Sequence, residues 1–368
     1  MTAPAPRSLW LDTLPPRELE RVRAPLPGPV EADVAIVGAG YTGLWTAYHL
    51  ARRDPSLRVV VLEKEFAGFG ASGRNGGWLS NLLPLSWEAI AARSARDGAV
   101  AWQRCADATV DEVLAVARAE GIDAQAAKGG FLCVATSELQ AARLREQVAR
   151  AREWGFGDED LRWLSRGEAR DRVAADRVFG ATWTPHCAAV HPARLVRGLA
   201  EAVERRGVTI HEGTTVTAVE PHRVRTPAGD VRAGVVVRAL EGYTASLRGR
   251  RRDLLPLYSL MLATEPLSDD VWAELRWSGR ETLGDARRLI IYAQRTADGR
   301  IAIGGRGAPY RLASRIRPAH EQARGVHTAI RHSLVELFPR LAGAAVTHRW
   351  GGVLGVPRDW WPSVRHDP

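Results

Sequence analysis

Apolar positions along the chain fall into two periods. Residues 33–37 form a β-branched apolar run that opens on Asp33, residues 38–43 a glycine turn, and residues 44–52 carry apolar side chains at helical spacing. Residues 58–62 read as a second buried strand, so these segments together predict a compact βαβ unit. From 87 to 152 the period is helical, in long Ala- and Arg-rich amphipathic stretches broken by Lys128-Gly129-Gly130 and a strand-like run over 131–135. A separate subdomain is expected there. From His191 a helix over 192–206 leads through Gly207 into strands over 208–211 and 214–219, with another strand over 231–239. Longer strands follow over 257–264 and 289–305, the latter turning at Asp298-Gly299. Residues 1–31, rich in Pro and polar groups with one short helical stretch over 17–22, read as a surface arm.

Composition narrows the class. A chain of 368 residues with 45% hydrophobic content can bury a substantial core and suggests two domains. Every apolar run is interrupted well before the roughly 18 residues that a membrane helix needs, and the opening residues lack an apolar signal core. Neither membrane insertion nor secretion is expected, and the cytoplasm is the default location. The net charge of +9 raises the question of nucleic acid, but all except two of the 51 basic residues are arginine and they are spread along the whole chain. A localised basic footprint is missing, so no nucleic-acid partner is expected. Cys105, Cys133 and Cys187 lack the spacing of a zinc site or a disulfide scaffold, and the ten histidines show no ligand spacing, so no metal is expected.

The candidate chemistry lies at the first turn. Gly38-Ala39-Gly40-Tyr41-Thr42-Gly43 fits G-x-G-x-x-G directly between strand and helix. There the first glycine permits the tight turn, the second lets a pyrophosphate approach the backbone, and the third lets helix and strand pack closely. Glu63, at the end of the second strand and followed by Lys64, stands where an acid accepts hydrogen bonds from the ribose hydroxyls of an adenosine. The alternative is a doubly wound domain whose tight turn binds nothing, and the pattern alone does not choose between NAD and FAD. The next segment, GFGASGRNGGWLS over 68–80, is a glycine-rich loop with Ser72, Gly73, Arg74, Asn75, Gly76 and Gly77 but no helical period.

With DVAIVGAGYTGLWTAYHLA, VVVLEKE and above all GASGRNGG, the chain resembles the D-amino-acid oxidase-like FAD-dependent oxidoreductases, the group that contains glycine oxidase, sarcosine oxidase and gamma-glutamylputrescine oxidase. The resemblance implies an α/β FAD/NAD(P)-binding Rossmann-like domain and an α+β substrate domain built on an antiparallel sheet. The implied division is an arm (1–31), FAD-binding segments at 32–90, 189–250 and 346–368, and substrate-domain segments at 91–188 and 251–345. It places the 68–80 loop beside the pyrophosphate, ribityl chain and flavin ring. It also sets the backbone around Val216 against adenine, although an ordinary core valine fits that position equally. PLYSLMLATEPL resembles the opening of the substrate-domain sheet, and IIYAQRTADGRIAIGG the strands flanking the substrate pocket.

The implied reaction is oxidation of a carbon–nitrogen bond in a small amine or amino acid by hydride transfer to FAD, with oxygen as the expected acceptor. Such chemistry needs positioning and electrostatic tuning more than a protein base. Arg295 is the candidate carboxylate clamp, because a planar guanidinium binds two oxygens at once. Tyr258 and Tyr292 are candidates to close the pocket, with core packing the alternative for both. Members of the group generally continue past WGGVLGVPRDWWPS with a strand and a glycine turn into a last helix facing the flavin. This sequence stops at VRHDP, so a truncated relative with weakened cofactor retention is an alternative expectation, as is an NAD-dependent dehydrogenase. Oligomeric state is left open.

Overall fold

The computed structural model describes residues 7–19, 22–305 and 315–366. Of the helical stretch expected over 17–22, Pro16–Leu19 is helical, while residues 20 and 21 lie outside the described residues.

Strands are numbered along the chain. The first sheet has six strands in the order Thr209–His211 (β8), Val59–Leu62 (β2), Val30–Val37 (β1), Gly229–Arg238 (β11), Arg223–Thr226 (β10) and Ala218–Glu220 (β9). The four strands from β8 to β11 run parallel, and β10 and β9 add an antiparallel hairpin edge. Helix Tyr41–Arg53 crosses over between β1 and β2 and packs Leu44, Ala47 and Tyr48 onto Val34, Ile36, Val59 and Val61, with helix Pro192–Arg205 adding Val196, Leu199 and Val203. Burial on both faces explains why β1 and β2 read as continuous apolar runs. Of the strand expected over 214–219 only 218 and 219 are extended, within Ala218–Glu220, while Thr214 accepts the Leu26 amide through its hydroxyl at 3.0 Å.

The second sheet has eight strands, in the order Val346–Val356 (β16), Leu255–Thr264 (β12), Ile301–Gly305 (β15), Ile291–Arg295 (β14), Thr282–Asp285 (β13), Phe131–Ala135 (β4), Gly180–Thr184 (β6) and Arg162–Leu164 (β5). It is antiparallel except where β13 meets β4. Helix Arg324–Leu337 packs on one face, where Ile330 and Leu334 join Leu260, Leu262, Ile291 and Ile303. Trp78–Ser80 (β3) and Cys187–Ala189 (β7) pair as a short antiparallel ribbon. The helical run that begins at Trp87 breaks at Ala95, whose φ of 61° lies in the left-handed region.

Val346–Val356 pairs with β12 along its whole length, in the eight-stranded sheet. One expectation is corrected for the described residues: within the stretch read as a surface arm, Leu9, Trp10, Leu11 and Leu14 are buried against Ala193, Met261, Ala302 and Trp350. Arg23, also buried, bridges Glu204 and Glu212 at 2.8 Å each. Its polar composition hid a short apolar cluster that finds its partners only in the folded chain.

Candidate active site

β1 delivers the glycine turn at its C-terminal end. A Cβ on Gly43 would lie 2.0 Å from the Gly38 carbonyl oxygen, so helix Tyr41–Arg53 meets the strand at backbone distance. Gly38, with φ of +108°, sits so close to the end of β11 that a Cβ would fall 2.4 Å from the Ala239 oxygen. The first helical turn leaves its amides without acceptors inside the helix. The Ser72 hydroxyl takes the Tyr41 amide at 2.9 Å, and the partial positive charge of the helix end is directed at the crevice. Glu63 accepts the Ala39 amide at 2.9 Å and the Glu65 amide at 3.0 Å, which orients its half-buried carboxylate beside the turn. Burial raises its pKa, and these two amides pull it back. A bare-backbone turn at a helix N-terminus, with an aimed carboxylate alongside, fits the diphosphate and adenosine ribose of FAD. Lys64, next along the chain, is exposed, with its ammonium 3.5 Å from Glu65.

The 68–80 loop docks on this turn through the Gly68 amide, which donates to the Ala39 oxygen at 3.0 Å. Asn75 shapes the loop. Its side-chain nitrogen donates to the Ala71 and Ser72 carbonyls, and its oxygen accepts the Gly77 amide at 2.7 Å. Arg74 turns away from the crevice. It is buried, donates to Glu321 at 2.7 Å and to the Gly351 carbonyl at 3.2 Å, and so ties the loop to β16. Gln294, absent from the sequence expectations, holds the loop's far end: its amide nitrogen donates to the carbonyls of Gly76 (2.8 Å), Gly77 (3.0 Å) and Val190 (3.2 Å).

Beyond Gly76 opens a cavity of about 390 Å³, walled by Trp78, Leu82, Phe131, Cys133, Ile290 and Tyr292, with Asn75 and Gly76 at its base. Tyr292 is therefore in the pocket, its hydroxyl bonded to Ser259 on β12. Arg295 is not. It projects from the opposite face of β14, with its guanidinium 4.1 Å from the Trp272 ring centroid and Nη1 donating to the Trp277 carbonyl at 2.8 Å. Tyr258 is likewise absent from the pocket wall, because strand alternation turns it into the core, where it brackets the backbone of Arg317. Applied strictly, the same alternation on β14 pairs Tyr292 with Gln294 and removes Arg295, so that signal was present in the sequence. Val216 lies in the loop between β8 and β9, partly buried beside Val219 and Leu240. Burial and nearby Asp285 push the Cys133 thiol up to about 12. Among the described residues, Asp107, Asp160 and His186 bring ligand-type atoms within 4.8 Å of one another, but Arg104 pairs with both carboxylates.

Comparisons with known proteins agree with this geometry. The family model described as FAD dependent oxidoreductase matches residues 33–368. Gamma-glutamylputrescine oxidoreductase of Escherichia coli (strain K12) is 32% identical over 333 residues, covering 88% of this chain and 74% of that protein. Glycine oxidase of Geobacillus kaustophilus is 27% identical over 353 residues, 91% of this chain and 84% of the relative. The solved structure of glycine oxidase from that organism superposes with a TM-score of 0.72 at 25% identity, covering 92% of this chain and 86% of its own. The NAD-dependent alternative is thereby set aside. A glycine turn with its flanking acid, a loop that reaches from it to an apolar pocket and a family match over nine-tenths of the sequence converge: the chain belongs to the DAO family of FAD-dependent oxidoreductases.

Proposed function

We propose that this chain oxidises a carbon–nitrogen bond of a small amine or amino acid, with oxygen accepting the electrons. The observation that carries the reading is that one loop, 68–80, caps the helix at the dinucleotide cradle through Ser72 and forms the base of the aromatic pocket through Asn75 and Gly76. Cofactor and substrate are thus addressed by one continuous segment.

In this reading Gly38, Ala39, Gly40, Tyr41, Thr42 and Gly43 present backbone to the diphosphate, and Glu63 receives the ribose hydroxyls. Ser72, Gly73, Asn75, Gly76 and Gly77 form the surface along which the cofactor runs toward the pocket, and the backbone near Val216 borders the adenine. Bound FAD supplies the two-electron acceptor. The pocket's apolar walls exclude water from the reacting carbon, which gives up a hydride while the nitrogen gives up a proton. The resulting imine would be hydrolysed by water, and bound FAD would supply the path by which the two electrons and two protons reach oxygen as hydrogen peroxide. The Tyr292 hydroxyl, held by Ser259, is the pocket's polar handle for orienting substrate. Both named relatives point to nitrogen-bearing substrates.

The test begins with the visible spectrum of the purified protein and acid release of FAD. Anaerobic addition of amines and amino acids should bleach the flavin band, and readmitted air should restore it with release of peroxide. A flavin-loaded protein that no amine or amino acid bleaches refutes the reading. Bleaching that air does not reverse refutes oxygen as acceptor.

A further inference from the structure

A second cavity, of about 230 Å³, lies beyond Gln294 along β14 and shares no lining residue with the aromatic pocket. Trp10 and Val190 form its apolar wall, and Ala297, exposed, stands at its rim. Most of its polar groups are engaged with one another. The His191 ring bonds the Thr13 hydroxyl at 3.0 Å, and the Thr296 hydroxyl donates to Asp298 at 2.6 Å.

Two groups are not satisfied in this way. Gln294 is 1% exposed, and its nitrogen is taken up by the carbonyls of Gly76, Gly77 and Val190, but its Oε1 is buried and has no donor among the described residues. Arg280 lines the cavity with Nε on the Arg295 carbonyl at 3.2 Å and Nη1 on the Gln125 carbonyl at 2.9 Å, and it forms no ion pair among the described residues. Burial and then neighbouring Arg295 lower its pKa, and Asp298 offsets them only in part.

The two groups have different needs. A buried amide oxygen without a donor is destabilising, and a half-buried guanidinium without an acid has a planar fork open to a carboxylate. A water satisfies the first and not the second, and a chloride ion the second and not the first. The space is many times what one water needs. A small ligand with an anionic end and a hydrogen-bond donor satisfies both. Asp298, which accepts from Thr296 and from Arg300 at 2.8 Å, adds a carboxylate to the wall and favours a cationic donor over a neutral one.

We propose that this cavity binds a free α-amino acid as its zwitterion, with the carboxylate on Arg280 and the ammonium donating to Gln294 Oε1. The site is separate from the pocket assigned to the oxidised substrate and stands or falls independently of that reading. Its occupant shares one side chain with the flavin loop, because the same Gln294 amide holds Gly76 and Gly77 through its nitrogen.

The test titrates the purified protein with 2-aminoisobutyrate, whose α-carbon has no hydrogen to lose as hydride, so that calorimetry reads binding without turnover. The amino acid should bind at least about tenfold tighter than 2-hydroxyisobutyrate, which exchanges the ammonium for a hydroxyl, and than isobutyrate, which keeps only the carboxylate. Equal binding of the hydroxy acid overturns the zwitterion, and no binding of the amino acid at millimolar concentration overturns the site. Arg280→Gln should weaken binding at least about tenfold, while Trp78→Leu in the other pocket should leave it within about twofold. Ala297→Trp removes no hydrogen-bonding group and fills the rim, so it should abolish binding even if the Arg280 variant fails to fold. Binding that survives Ala297→Trp but is lost in Trp78→Leu belongs to the aromatic pocket and overturns the inference.

Discussion

His191 is buried, and its two ring nitrogens have opposite duties. Nδ1 accepts the Arg194 amide at 3.2 Å as the N-cap of helix Pro192–Arg205, so the proton sits on Nε2, which donates to the Thr13 hydroxyl at 3.0 Å. That hydroxyl donates onward to the Leu9 carbonyl at 2.7 Å. Burial, reinforced by Arg194, lowers the His191 pKa to about 4 from an unfolded value near 6.5. The folded chain holds this ring neutral while the unfolded chain takes up a proton below pH 6.5. Stability is therefore full above that value and falls between pH 6.5 and 4, by at most about 3 kcal/mol. His191→Asn keeps an N-cap oxygen but cannot titrate, and denaturant unfolding at pH 7, 5.5 and 4.5 should show a flatter acid limb for the variant. An unchanged acid limb means that other groups govern the loss. The acid at position 63 is the opposite case at this scale: its place at the end of β2 was readable from spacing alone, and two backbone amides orient its carboxylate beside the glycine turn.

Among the elements, the crossover at β1 was the most legible because its demands are local. A buried parallel strand must be apolar, and a helix that starts against it must be bare at its third residue. Gly43→Ala puts a methyl group 2.0 Å from the Gly38 oxygen, so helix and strand must separate. Thermal unfolding should show a loss of about 1–3 kcal/mol, and FAD should be released more readily on dilution. Unimpaired retention of flavin by that variant argues against the cradle as assigned. The pair β14 and β15, with its turn at Asp298-Gly299, was equally plain from its period. Which face of β14 looks at the pocket was harder: Arg295 matched an expected position, but it carries the parity of Ile291 and Ala293, which pack in the core. Resemblance supplied the element, and alternation decided the side chain. Phe131 and Trp78 gave no such signal, since nothing within either strand reveals that the two lie side by side.

For the whole molecule, the distinctive feature is how two tryptophans 340 positions apart in sequence converge on the 68–80 loop. The Trp10 indole donates to the Asn75 carbonyl at 2.8 Å, and the Trp350 indole donates to the Arg74 carbonyl at 2.9 Å. The two tryptophans meet edge to face, with ring centroids 6.0 Å apart. A segment that reads locally as an arm therefore buttresses the site from the far side. Trp10→Ala should cost about 3–5 kcal/mol in equilibrium unfolding and loosen the loop enough to lower flavin occupancy. If stability falls but flavin stays fully bound, the buttress is structural only.

The sequence by itself determined what short-range physics enforces: the apolar strands, the crossover with its three glycines, the acid twenty residues on, and the paired strands beside the pocket. Each is a demand that a residue meets with its immediate neighbours, through period, turn geometry or helix-end charge. Tertiary structure alone decided which side chains share the pocket, that Arg74 is drawn to Glu321 and Gly351, that Gln294 locks the loop, and that β16 joins the larger sheet. Those outcomes depend on contacts between residues up to 277 positions apart. Such pairings are selected by packing and hydrogen-bond satisfaction over the whole fold, and no local pattern encodes them.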